Sequence, residues 1–198
     1  MMEVDNIIAI AKDSDILHRY RDSDPEGRYQ LLMENYAGFP KMLRKLEKKI
    51  EYKIKTELEY SKSKKRGELG VRVQTSDLSD PTANEAIVSV TIQEGYQRGE
   101  LDKGLLKGME NAKEYEEEVR VIGIMRMDFE LLDEIINDLE DTDSKLIKQY
   151  VQERRYVKEI AAEEGKSYNA IMKKITRIRA DIKEEILECL EMNCRFEI

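Results

Sequence analysis

VKEIAAEEGKSYNAIMKKITRIR, running from Val157 to Arg179, is the stretch whose reading decides the fold. Glu159-Ile160-Ala161 reads as part of a short helix, Gly165-Lys166 as a turn, and Ser167 as the capping residue that opens a second helix. In the second helix Ile171, Ile175, Ile178, Ile182 and Ile186 recur at spacings of three or four, which makes one continuous apolar stripe. Asn169, Lys173, Thr176 and Arg177 fall on the far side, so a helix with its isoleucines in a core presents amide, ammonium and guanidinium groups outward. Two short helices around a glycine turn, the second basic along its wet side, is the sequence form of a helix-turn-helix. The competing reading is an ordinary helical hairpin with solvated lysines, and periodicity alone leaves both open.

Under the first reading the residues divide by chemistry. Ser167 is the N-cap, and Tyr168 and Asn169 occupy the first turn, the part of a recognition helix that reaches deepest into a major groove. An Asn side chain matches the two hydrogen-bonding positions of adenine, and Tyr168 suits a phosphate or a thymine methyl. Lys173, Lys174 and Arg177 are expected to hold phosphate, with Arg154, Arg155 and Lys158 clamping the flanking strand. Ala161 is small enough for two helices to approach, and Gly165 suits a left-handed turn position.

Outward from this stretch the pattern stays helical. Towards the C-terminus the stripe continues through Ile182, Ile186, Leu187, Leu190 and Met192 while the charges turn acidic, which fits either docking on the N-terminal helices or a homodimer contact. Towards the N-terminus, Asp141-Thr142-Asp143-Ser144 is expected to cap a helix that turns Leu146, Ile147, Tyr150 and Val151 inward. Leu101 to Leu139 reads as two helices joined at Gly123 or at Arg126-Met127-Asp128, with Glu114 to Glu118 as a solvated face. Asp80-Pro81 and the Thr82/Glu85 capping box predict a helix that buries Ala86, Ile87 and Val90 and stops near Gly95.

Gly67 to Gly70 is the best linker candidate, with Leu69, Val71 and Val73 alternating as a short extended segment. Lys41 to Lys64 carries the helical stripe Met42, Leu43, Leu46, Ile50, Ile54, Leu58 and Tyr60 among lysines, either a solvated face or a second phosphate-contacting surface. Asp24-Pro25 opens a helix over 26–36 that Gly38-Phe39-Pro40 ends, and a first amphipathic stretch over 2–20 breaks around Asp13-Ser14-Asp15. The predicted architecture is therefore all-α: an N-terminal helical region over 1–66, a linker and short helix over 67–100, and a helical domain over 101–198 with the helix-turn-helix at 143–183.

Composition sharpens this. Charged residues make up 38% of the 198 and aromatics 7%, with no Trp, a balance that favours elongated or bundled helices over a thick core. The net charge of −8 argues against a nucleic-acid binder only as an average. Asp143 to Lys183 holds 11 basic and 6 acidic residues, and Lys41 to Arg66 holds 11 basic and 4 acidic ones, so the excess of positive charge is concentrated in two windows. With one His (His18) and two Cys (Cys189 and Cys194), a zinc site of ordinary spacing cannot be assembled, and no nucleophile–base pair or Gly-rich phosphate loop is visible. No catalysis, metal or cofactor is expected. No apolar run approaches the roughly 20 residues that span a bilayer, so the expected setting is the cytoplasm, without a membrane partner and with reduced thiols.

From about Leu146 to Arg179 the chain resembles the C-terminal promoter-reading domain, region 4, of bacterial sigma factors, especially the extracytoplasmic-function type. The likeness rests on Glu159-Ile160-Ala161, Gly165, Ser167, Ile171 and the basic run Lys173, Lys174, Arg177 and Arg179. The phrase Ser79 to Ile87, SDPTANEAI, followed by a long helical region and this terminal module, resembles phage and prophage transcription regulators of the ArpU and RinA type. That resemblance implies promoter DNA and host RNA polymerase as partners, a bacterial host cell, and control of late or lysis genes. No counterpart of the other sigma domains is visible, which points to a regulator carrying only the DNA-reading module. The rivals are a helical DNA-packaging protein of the small terminase kind, and a module that uses its basic helix for an acidic protein.

Overall fold

Local signals set some of the helix starts. The computed structural model describes residues 13–68 and 81–195, and among them the chain is all-α, with eight α-helices and no strand. They are α1 (Asp13–Arg21), α2 (Pro25–Asn35), α3 (Phe39–Glu68), α4 (Pro81–Arg98), α5 (Ala112–Asp138), α6 (Asp141–Val151), α7 (Val157–Glu163) and α8 (Tyr168–Arg195). The Asp24 side chain accepts from the Gly27 N–H at 2.8 Å and Pro25 fills the first turn of α2, as its sequence predicts. A single 3-10 turn, Tyr36–Gly38, separates α2 from α3. Phe39 then buries itself and stacks on Phe129 with ring centres 4.9 Å apart.

Several expectations are corrected here, and close packing is the reason at Gly95 and Gly123. Helix α3 runs through Gly67; the extended segment expected at 69–73, the helix-start residue Asp80 and the stretch before Asp13 lie outside the described residues. Helix α4 passes Gly95 and ends at Gly99, whose φ is +69°, with the Glu100 N–H reaching the Gly95 carbonyl at 3.1 Å. Its inward face is Ile92 and Tyr96; Ala86, Ile87 and Val90, expected to be buried, are exposed. Leu101 to Asn111 is a run of turns where a helix was expected, and α5 then continues unbroken through Gly123. A Cβ at Gly123 would lie 2.8 Å from the Gly99 Cα, so that glycine serves a close backbone approach and not a helix junction.

The chain divides into two compact units, Met1–Met42 with Met125–Ile198, and Leu43–Ile124. This division follows neither of the boundaries drawn at 66/67 and 100/101. In the first unit, α8 packs on α2, α6 and α7. Its stripe of Ile171, Ile175, Ile178, Ile182, Ile186 and Leu190 is buried. The Tyr29 hydroxyl donates to the Arg179 carbonyl at 2.8 Å, and Lys183 pairs with Glu26 at 2.8 Å. Of the two readings for the long stripe, docking on an N-terminal helix is the one found. Below it, the Tyr20 hydroxyl donates to the buried Asp128 carboxylate at 2.7 Å, and the Arg28 guanidinium stands 5.2 Å from the Tyr20 ring centre.

The second unit is built on Leu43, Leu46, Ile50 and Ile54 of α3, Ile92 and Tyr96 of α4, and Tyr115, Val119 and Ile122 of α5. The Tyr96 hydroxyl donates to the Glu47 carbonyl at 2.6 Å. Glu57 accepts from the Asn111 side chain at 2.9 Å and the Tyr115 hydroxyl at 2.7 Å, and Lys53 pairs with Glu118 at 2.7 Å. The acidic run of α5 is thus partly engaged by α3 and is not a purely solvated face. Among the described residues no helix is long and apolar enough to cross a membrane, and no His, Cys, Asp and Glu cluster could hold a metal ion.

Candidate nucleic-acid interface

Helices α6, α7 and α8 follow one another through two tight turns. At the end of α6 the Gln152 and Glu153 N–H groups both reach the Lys148 carbonyl, at 2.8 and 3.1 Å, and the Arg155 N–H reaches Gln149 at 3.0 Å. This widened turn places Arg154 in the left-handed region, at φ +54°. Helix α7 buries Val157, Ile160 and Ala161. Its end is a Schellman motif: the Lys166 N–H bonds to the Ala161 carbonyl at 3.0 Å and the Gly165 N–H to Ala162 at 3.4 Å, with Gly165 at φ +62°. The Ser167 side chain then accepts from the Ala170 N–H at 3.2 Å, the side-chain cap expected for α8.

The structure brings Ser167, Tyr168, Asn169 and Lys173 together as exposed residues at the amino end of α8. Asn169 and Lys173 lie opposite Ile171 and Ile175 on the helix, the geometry a 3.6-residue period requires. Neither makes a side-chain hydrogen bond or ion pair with the described residues. Lys158 and Arg154 are also exposed and unpaired among the described residues. Thr176 turns its hydroxyl back on the Met172 carbonyl at 2.9 Å.

Lys174, Arg177 and Arg155 have protein partners. Lys174 Nζ lies 2.5 Å from Asp143 Oδ1 and Arg177 Nη2 lies 2.9 Å from Asp143 Oδ2, so one carboxylate in the first turn of α6 ties down two cations of α8. Asp143 is buried, and the hydrogen bond from Lys174, joined by those from Thr142 and Arg177, holds its carboxyl below the ordinary value of 3.8. On a helical wheel Lys174 stands about 60° from Ile171, on the shoulder of the stripe, and Arg177 about 120°, nearer its far side. Arg155 is likewise bound to Glu163, with Nη1 2.9 Å from Oε2, and that hydrogen bond lowers the Glu163 carboxyl. Three of the residues expected to hold phosphate or clamp the flanking strand, Lys174, Arg177 and Arg155, each have an internal acidic partner.

Asp143 is the site residue that sequence reasoning missed. It was expected to help cap α6, yet the cap position is Glu140 and it makes no side-chain cap. The available signal was an acidic residue at the edge of a strongly basic window, which does not name its partners.

Compared with known proteins, the chain matches no family model, no curated protein and no solved structure. The site therefore has to be interpreted from its own geometry. That geometry is a short helix, a fixed turn, and a long helix whose first two turns carry an aromatic hydroxyl, a carboxamide and an ammonium group into solvent. These groups suit a surface of anions and hydrogen-bonding edges.

Proposed function

We propose that the α7–α8 pair reads double-stranded DNA, with the first turns of α8 in the major groove, and that the protein is a sequence-specific transcription regulator. The observation that supports this best is the exposed pair Asn169 and Lys173, set opposite a buried isoleucine stripe on a helix start held by Gly165 and Ser167. In this reading Asn169 meets a base edge, Tyr168 and Lys173 meet the groove edge and backbone, and Lys158 and Arg154 contact flanking phosphates. Lys174, Arg177 and Arg155 keep the module rigid through Asp143 and Glu163, and contribute to DNA only through the long-range field. The likeness to sigma region 4 and to ArpU and RinA regulators extends the proposal to a phage promoter, with host RNA polymerase positioned there and late or lysis genes as targets.

The test is a random-library duplex selection with the full chain, repeated with Asn169→Ala and Lys173→Ala. Each change should weaken the selected site by ~1 kcal/mol or more, and Asn169→Ala should also relax preference at one base pair. Selection of no sequence, or full retention of affinity and preference in both variants, refutes the assignment.

A further inference from the structure

Helix α3 carries a second basic surface in the other unit. Between Leu43 and Ile54 its buried face is Leu43, Leu46, Ile50 and Ile54, and Arg44, Lys48, Lys49 and Tyr52 are exposed on the opposite side. The cations of this stretch are neutralised unevenly. Lys55 pairs with Glu51 at 2.7 Å, and Lys53 with Glu118 at 2.7 Å and Glu114 at 3.2 Å. Before Glu51, Arg44, Lys48 and Lys49 make no ion pair with the described residues. Of the acids on this stretch, Glu51 is committed to Lys55.

We propose that Arg44, Lys48, Lys49 and Tyr52 form a second nucleic-acid surface, which holds the phosphates of a duplex without reading its sequence. Arg44 and Lys48 are four residues apart, about 6 Å along a helix axis, so neighbouring cations can engage separate phosphates of one strand. Tyr52, 73% exposed and one turn beyond Lys48, offers a hydroxyl that donates to a phosphate oxygen at the end of the row. A polyanion is the occupant these residues favour, because three unpaired cations in a row repel one another until counter-charge arrives. A membrane surface fits poorly: an interfacial helix must insert its apolar face, and that face of α3 is already buried in the unit's core. The proposal goes beyond the reading of α8 and does not depend on it.

The experiment measures binding of the full chain to a duplex of unrelated sequence, over about 50 to 200 mM salt. It compares the wild type, the triple variant R44Q/K48Q/K49Q, the conservative R44K/K48R/K49R, and N169A/K173A. Each lost phosphate contact removes about 0.9 from the slope of log affinity against log salt, so the triple variant should flatten it by about 2 to 3. The conservative variant should keep the wild-type slope, and N169A/K173A should keep most of it. If N169A/K173A changes neither sequence preference nor affinity in the duplex selection while the triple variant flattens the slope on the unrelated duplex, the α8 reading fails and this surface stands. An unchanged slope in the triple variant overturns the proposal. So does wild-type binding to polyglutamate with none to the duplex at low salt, which would make the face a seat for an acidic protein.

Discussion

Replacing Asp143 by Asn tests whether the basic shoulder of α8 is structural. The carboxylate accepts from Lys174 at 2.5 Å and Arg177 at 2.9 Å, and the Asp143 side chain is 13% exposed. A hydrogen bond to a charged group contributes about 1.5–3 kcal/mol when its partner is left without water. Here the Lys174 and Arg177 side chains are 27% and 64% exposed, so both regain solvent when the anion is removed. That reduces the expected loss for Asp143→Asn to about 1–2 kcal/mol in all. Denaturant unfolding of the full chain at neutral pH measures it. A double-mutant cycle with Lys174→Ala should return a coupling of about 0.5–1 kcal/mol, and Arg177→Ala a smaller one because it is the more exposed partner. The pH dependence carries a sign. The folded-state pKa is depressed below 3.8, so the carboxylate's contribution is complete above that value and is lost as pH falls through the lower, folded-state pKa. The stability gap between wild type and Asp143→Asn should therefore close in acid and be constant from about pH 5 upward. Strict additivity in both cycles, or a gap that widens in acid, would refute the role given to Asp143.

Three further outcomes follow from the backbone. Gly165→Ala should cost about 1 kcal/mol, since φ is +62° and no atom lies within 4 Å of the added Cβ, and Gly165→Asn should cost less; equal stability of all three by urea unfolding would contradict this. Gly123→Ala should cost more, about 2 kcal/mol, because its Cβ would meet the Gly99 Cα at 2.8 Å and backbone cannot step aside; thermal and denaturant melts of the two alanine variants decide the order. Arg154→Gly relieves a left-handed residue at φ +54° and should stabilise the chain by about 0.5 kcal/mol while weakening low-salt duplex binding. A destabilised Arg154→Gly variant would mean that the Arg154 side chain contributes more to folding than its backbone costs.

What was legible in the sequence and what was not divides by the range of the cause. Asp24-Pro25, Gly165 and Ser167 act within a few residues, and each does in the structure what its local chemistry predicts. The isoleucine stripe of α8 is equally local, because its period alone fixes which side is buried. Gly95 and Gly123 read as helix breakers by propensity, yet both sit inside helices because a Leu101 side chain and the Gly99 backbone pack where a Cβ would stand. In α4 two apolar sets compete, Ile87 with Val90 and Ile92 with Tyr96, and only a distant hydroxyl partner, the Glu47 carbonyl, distinguishes the second.

The candidate site divides in the same way. Lys173 and Lys174 are adjacent and chemically identical, and sequence reasoning gave both to phosphate. A rotation of about 100° separates them: one faces solvent alone, and the other reaches an aspartate in α6. A cation already neutralised by a buried carboxylate releases less free energy on meeting a phosphate than one whose only counter-charges are mobile ions, because the internal pair must first be weakened. Basic residues in a sequence window therefore overstate a nucleic-acid footprint by the number that have internal partners. Among the cations expected to touch DNA, setting aside Lys174, Arg177 and Arg155 leaves Lys173, Lys158 and Arg154 around Asn169, a smaller and more sharply placed surface.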